Sequence, residues 1–205
     1  IVIPALEILG GVVVAPEERD AVLAADVIAA ARTLRDDGAL FFHLVDLDAI
    51  RGSGDNVEIA RRFVDAGLSC QVAGGIRDLA RAEQLIDVGV DRLVLGSMLH
   101  ARPDDARALA ERLGTRVIAA IDVDADSAGV AGGPRRPWAE MATELRSLGF
   151  SRVLVRATDG ATPRRGPQVD ALRTTLGHEG LEVHANVLVA ARDELRDLKP
   201  LIDAG

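Results

Sequence analysis

The chain of 205 residues is expected to fold as an α/β barrel, and three observations lead there. Short apolar runs of strand length alternate with amphipathic stretches of helical period. Glycines close the helical stretches at matching places. Carboxylates and glycines gather just after the apolar runs rather than before them.

The apolar runs are, in order, "VIPALEI", "ALFFHLVDLD", "LSCQVAGG", "DRLVLGS", "RVIAAIDVD", "SRVLVRAT" and "LEVHANVLV". Their near-continuous hydrophobicity suits strands covered on both faces, as in a parallel sheet. Between them, Val27, Ile28, Ala31 and Leu34 recur at helical spacing, as do Ile59, Ala60, Phe63 and Val64, and then Leu109, Ala110 and Leu113. Gly38, Gly67, Gly89, Gly114 and Gly149 each follow the last apolar helical position and precede a strand by a few residues. Glycine there adopts the left-handed C′ conformation with no Cβ clash. Seven βα units are legible, with no linker or low-complexity segment, so a single domain over residues 1–205 is expected.

An open dinucleotide-binding sheet would carry G-x-G-x-x-G after its first strand, and "LGGVVVAP" lacks that spacing. A barrel instead collects functional residues at the C-terminal ends of several strands. Glu7, Asp46, Asp48, Gly74, Gly75, Gly96, Ser97, Asp122 and Asp124 all fall at such ends. The chain also repeats itself. "IPALEI" aligns with "IAAIDV", placing Glu7 over Asp122, and "VAGGIRDLARAEQLIDVG" has a diverged partner in "HANVLVAARDELRDLKPLIDAG". The reading is a (β/α)8 TIM barrel made of two half-barrels, 1–114 and 115–205, each contributing one carboxylate from its first strand.

Composition narrows the function. A net charge of −8, with four Phe, one Trp and no Tyr, argues against a nucleic-acid surface. No apolar stretch approaches the ~18–20 residues that span a bilayer, and no membrane association is expected. One cysteine, Cys70, excludes an internal disulfide framework and a Cys-rich metal site. Lys199 is the only lysine, so there is no P-loop lysine. His43, His100, His178 and His184 lie in different units without metal-ligand spacing. A cytoplasmic monomer is expected.

The stretches "IPALEILGG", "FFHLVDLDAIRGSGDN", "QVAGGIRDLARAEQLIDVGVDRLVLGSML", "VIAAIDVD" and the more diverged "VRATDGATPRRGPQ" resemble the phosphoribosyl isomerases of histidine biosynthesis, including actinobacterial relatives that also serve tryptophan biosynthesis. The resemblance implies a barrel that binds a substrate with a phosphate at each end. It also implies an Amadori rearrangement of an aminoaldose to an aminoketose without metal or organic cofactor, with a carboxylate from strand 1 and one from strand 5 as general base and acid. Such a pair divides the work when one group protonates the ribose ring oxygen and the other removes the C2 proton of the Schiff base.

Glu7 and Asp122 fall at those two positions. The family carries aspartate where this chain has Glu7, and one extra methylene displaces the carboxyl by roughly a bond length. Gly74, Gly75, Gly96 and Ser97 match the first phosphate site, where glycine lets backbone N–H groups approach the anion and Ser97 adds a hydroxyl. Asp46, Asn56 and Arg77 are candidates for substrate contact or for support of the site, and a structural ion pair is an equal reading of Arg77.

The second half departs from the pattern. Ungapped, Ala157 stands where an aspartate is expected at the end of strand 6, and only a gap lets Asp159 substitute. Val187 and Leu188 replace the second phosphate-binding Gly-Gly, leaving Arg164 and Arg165 as the nearby charges. "VVVAPEERDAVLAAD" is a first loop short of the basic, glycine-containing segment of the family. Trp138 is expected to anchor the following helix rather than stack on a ligand. The chain stops at "LIDAG", where strand 8 would begin, so either the natural chain continues past Gly205 or the barrel closes some other way. Two other functions compete: a degenerate barrel that binds a phosphorylated metabolite or a partner without turnover, and the sister cyclase of imidazole glycerol phosphate synthase, whose usual lysine after the first catalytic acid is absent.

Overall fold

The computed structural model of the chain describes residues 2–16, 18, 21–124, 127–159, 162–163 and 181–186. Arg164, Arg165, His178, Val187, Leu188, Lys199 and the "LIDAG" terminus lie outside the described residues. The chain divides into two compact units, Ile1–Leu95 and Gly96–Gly205.

The first unit contains β1 Ala5–Leu9, β2 Val12–Val14, β3 Val22–Ala24, α1 Val27–Asp36, β4 Phe42–Asp46, α2 Leu47–Arg51, α3 Val57–Asp65, β5 Cys70–Ala73, α4 Leu79–Val88 and β6 Arg92–Leu95. Its strands lie in the order β6-β5-β4-β1-β2-β3. The four expected strands, β1, β4, β5 and β6, pair in parallel. The segment read as a first loop is instead partly strand. Gly10 and Gly11, at φ 58° and 80°, form a two-residue reversal, and the β-branched run Val12–Val14 returns antiparallel along β1. Positive φ at both central residues is what the tightest hairpin turn demands.

Strand alternation sorts this sheet into two faces. Leu6, Ile8, Phe42, Leu44, Cys70, Val72, Leu93 and Leu95 are buried on one. Buried residues of the helices complete that core: Val27, Ile28 and Ala31 of α1, Phe63 of α3 and Leu85 of α4. Phe42 and Phe63 meet edge-to-face at 5.2 Å, joining β4 to α3. Such a pair is worth about 0.5–1.5 kcal/mol beyond the area it buries. The other face carries Glu7, His43, Gln71 and Arg92 among small and aliphatic residues.

Aspartates start the helices: Asp26 caps α1 through Ile28 N and Ala29 N, and Asp78 caps α4 through Arg81 N. Glycine ends them where expected. At α3, Gly67 (φ 71°) lets Leu68 N reach back to the Phe63 carbonyl at 3.2 Å.

The second unit contains α5 Met98–Ala101, α6 Pro103–Leu113, β7 Val117–Val123, β8 Ala128–Gly129, α7 Trp138–Ser147, β9 Arg152–Asp159, β10 Thr162–Pro163 and β11 Glu182–Asn186. Strands β7, β9 and β11 are the remaining three expected strands, and β9 pairs in parallel with both of the others. Short antiparallel strands cover two strand ends, β8 on Asp122–Val123 and β10 on Thr158–Asp159. Ala157 lies within β9, in register with Val123. Trp138 is buried at the start of α7 with Met141, Ala142 and Leu145, so it anchors that helix. Among the described residues no helix is long and apolar enough to cross a membrane.

Candidate functional site

In the first unit the strand-end chemistry converges on Asp46. This last residue of β4 is 3% exposed and caps α2, the helix that follows it directly. Its Oδ1 accepts from Ala49 N at 3.0 Å and Asn56 Nδ2 at 2.7 Å. Its Oδ2 accepts from Asn56 N at 2.8 Å and Arg81 Nη2 at 2.9 Å. A carboxylate offers about four acceptor positions, and here all four are in use. Asn56 is buried by this arrangement, and its Nδ2 also donates to Asp48 Oδ2 at 2.8 Å. The same Asp48 oxygen accepts from Gly10 N at 2.7 Å, tying the turn after β1 to the loop after α2. Asp46 and Asn56, both singled out in the sequence, are thus joined in one network.

Gly74 and Gly75 follow β5 and lie against the start of α2. A Cβ on Gly74 would come within 2.5 Å of the Asp46 carbonyl oxygen, and one on Gly75 within 2.3 Å of the Ala49 Cβ. Both have positive φ, 104° and 67°. Two constraints therefore demand glycine here, backbone conformation and close approach. Arg77, exposed, donates through Nη2 to the Ile50 carbonyl at 2.6 Å, so it clamps the end of α2 through a neutral acceptor.

Glu7 is the third of five residues in β1, in register with Val14 of β2 and Val45 of β4. It is half-buried on the polar face, whereas Leu6 and Ile8 on either side point into the core. Further along that face His43 Nδ1 and Gln71 Nε2 meet at 3.0 Å. Burial pushes the His43 ring down to about 4, which keeps it neutral. Cys70, on the opposite face, has its thiol pushed up to about 12 by burial and by the nearby Asp91 carboxylate.

In the second unit, Gly96 and Ser97 lead into α5, and the Ser97 hydroxyl makes no capping bond to that helix. Asp122 stands near the C-terminal end of β7, three-quarters buried, and its carboxylate is held by Arg156 of β9. Arg156 Nε donates to Oδ1 at 2.8 Å and Nη2 to Oδ2 at 3.0 Å. Beyond Asp122 the chain folds back through β8. There Asp124 Oδ1 accepts from both Ser127 N and Ser127 Oγ, while Arg135 bonds Asp124 and Ser127 together. Among the described residues no group of three or more His, Cys, Asp or Glu is arranged to hold a metal ion.

Two residues carrying this geometry, Arg81 and Arg156, escaped the sequence reading, and a third, Asp48, was noted without its contact. Arg81 lies a turn into α4, and nothing local directs it to Asp46. Asp48, expected at a strand end, lies in the first turn of α2, because Asp46 caps that helix directly after β4, and its bond to Gly10 joins segments 38 residues apart. Arg156 did leave a signal: an aspartate and an arginine each close an apolar run in consecutive βα units, and parallel strands bring such ends together.

The model of the family described as "Histidine biosynthesis protein" matches residues 1–199. Among similar curated proteins is the 1-(5-phosphoribosyl)-5-((5-phosphoribosylamino)methylideneamino) imidazole-4-carboxamide isomerase of Parasynechococcus marenigrum, 34% identical across all of this chain and 84% of the relative. The isomerase of the same name from Moorella thermoacetica is 32% identical over 92% of this chain and 79% of its own. That from Listeria monocytogenes is 28% identical over 86% and 75%.

Proposed function

We propose, from the premise that this chain belongs to the histidine biosynthesis protein family of (β/α)8 barrels, a division of labour among its residues for the reaction. The chain is a phosphoribosyl isomerase of histidine biosynthesis. It converts an aminoaldose bearing two phosphates into the aminoketose. An acid protonates the ribose ring oxygen, and the C1–O bond opens to leave a protonated Schiff base at C1. A base then takes the C2 proton, and the resulting enaminol returns a proton to C1 to give the C2 ketone.

Glu7 and Asp122 are the acid–base pair of this reading. Its support is their place within β1 and near the C-terminal end of β7, the first strands of the two repeated halves. Gly74, Gly75, Gly96 and Ser97 receive a phosphate through backbone N–H groups and the Ser97 hydroxyl. Asp46 and Asn56 hold the β4–α2 corner against which Gly74 and Gly75 pack, so they act on substrate through that corner. Arg77 fixes the end of α2 by its bond to Ile50. Binding needs no group beyond the substrate, and a cytoplasmic monomer suits it.

The single observation carrying the activity is the family match over residues 1–199 together with isomerases alike over most of both chains. Complementation of a strain lacking the isomerase tests it, with Asp122→Asn as the inactive control. Glu7 in place of the family's aspartate favours a second reading, a barrel that binds without turnover. Failure to complement, together with retained binding of a singly phosphorylated ribose compound, is the outcome that selects it.

A further inference from the structure

We propose that Arg156 is a positioning residue for Asp122, setting the plane of its carboxylate for proton transfer; this rests on the isomerase reading above. The geometry is two-pronged. Both Asp122 oxygens accept from one planar guanidinium, Nε at 2.8 Å and Nη2 at 3.0 Å. A bidentate pair constrains orientation as well as distance, because the two N–H bonds are parallel and lie in one plane. A lysine ammonium at the same place supplies charge without that plane.

The backbone delivers this contact. Asp122 and Arg156 are direct partners across the parallel pair β7–β9, so their side chains leave the sheet on the same face. On its antiparallel side Asp122 is opposed by Gly129 of β8, which has no side chain to compete. Among the described residues Arg156 is the one cation in contact with this carboxylate.

A purely structural explanation is weak. Arg156 is 46% exposed and Asp122 25%, and ion pairs so open to water add little to stability. A strand-end carboxylate with its orientation imposed by a neighbouring strand is suited to proton transfer, where misplacement of the order of 1 Å costs ~100-fold in rate. Arg156 itself touches no reacting atom in this scheme and acts through Asp122.

The test uses the full chain and the bis-phosphorylated aminoaldose, with kcat and KM measured separately. Arg156→Ala is expected to lower kcat by ~100-fold while KM stays within threefold. Tens of millimolar guanidinium chloride is expected to restore at least tenfold of that loss, where equal methylammonium or sodium chloride restores none. Arg156→Lys is expected to recover only a small part, since one ammonium cannot bond both oxygens in plane. Arg152→Gln, which breaks the Arg152–Glu182 pair at the opposite end of β9, serves as the control and keeps wild-type kcat. Wild-type kcat in Arg156→Ala overturns the proposal. So does a loss confined to KM, which would make Arg156 a substrate ligand, or a loss that tracks a fall in Tm without guanidinium rescue. Absence of turnover in the unmodified chain overturns the isomerase reading instead, and this proposal with it.

Discussion

Replacing Asp46 with alanine removes four hydrogen bonds at once and leaves a guanidinium without its closest carboxylate. The Asp46 and Arg81 side chains are only 5% and 11% exposed, so water cannot replace what is lost. Breaking a buried pair by removing one member costs about 3–5 kcal/mol. Arg81 keeps Gln84 Oε1 at 2.8 Å and Asp55 at 3.4 Å, which places its share at the lower end. The buried Asn56 N–H, left without an acceptor, adds about 1 kcal/mol. The total is about 4 kcal/mol, equivalent to a Tm lowered by about 12 °C for a chain of this size. Urea unfolding followed by circular dichroism measures it as a shift in midpoint at unchanged m. The paired substitution Asp46→Leu with Arg81→Met, which removes the stranded charge as well, is expected to be less destabilised than Asp46→Ala alone. A loss below about 1 kcal/mol for Asp46→Ala, within the range of an exposed pair, refutes the view that this carboxylate organises the corner beside Gly74 and Gly75.

Other expectations follow from the same geometry. Gly75→Ala sets a Cβ 2.3 Å from the Ala49 Cβ at φ 67°; the overlap and backbone strain together cost about 2–4 kcal/mol, and a purified variant with the wild-type unfolding midpoint would contradict this. His43 titrates near 4 in the folded chain against 6.5 when free. Between those values the unfolded chain binds a proton that the native state refuses. Stability is therefore full above pH 6.5 and falls as pH drops toward 4, by about 3 kcal/mol in all. His43→Asn keeps an acceptor for Gln71 but cannot titrate, so unfolding curves across that window are expected to be flatter for the variant than for the native chain. Cys70, buried with its thiol pushed up to about 12, is expected to resist alkylation by iodoacetamide at neutral pH until the chain is unfolded in urea; rapid labelling of the native protein would show that β5 opens locally.

The seven strands, the helices between them and the glycines that end those helices were legible in the sequence, because each is written in a local pattern. Alternation, helical spacing and a capping residue all act within a few positions. The strand ends bearing Asp46 and Asp122 were legible for the same reason, whereas Glu7, expected at a strand end, sits in the middle of β1 because the strand runs on to Leu9 before the glycine turn. The segment after β1 was not, since "VVVAPEERDAVLAAD" holds turn-forming and β-branched residues together, and only pairing with β1 makes Val12–Val14 a strand.

What each site residue touches was decided by tertiary structure. Asp46 meets Arg81 across 35 positions and Asp122 meets Arg156 across 34, contacts set by strand register and helix docking that no local pattern encodes. The glycines at 74 and 75 suggest an anion cradle in sequence; in the fold they are also where two backbones come too close for any side chain. The sequence by itself determined that Asp46 and Asp122 stand at strand ends, though not that Glu7 lies mid-strand or Asp48 in a helix. Only the packed sheet determined that Asp46 is saturated by its neighbours and Asp122 is held in one plane, because those facts depend on distances between segments that are far apart along the chain.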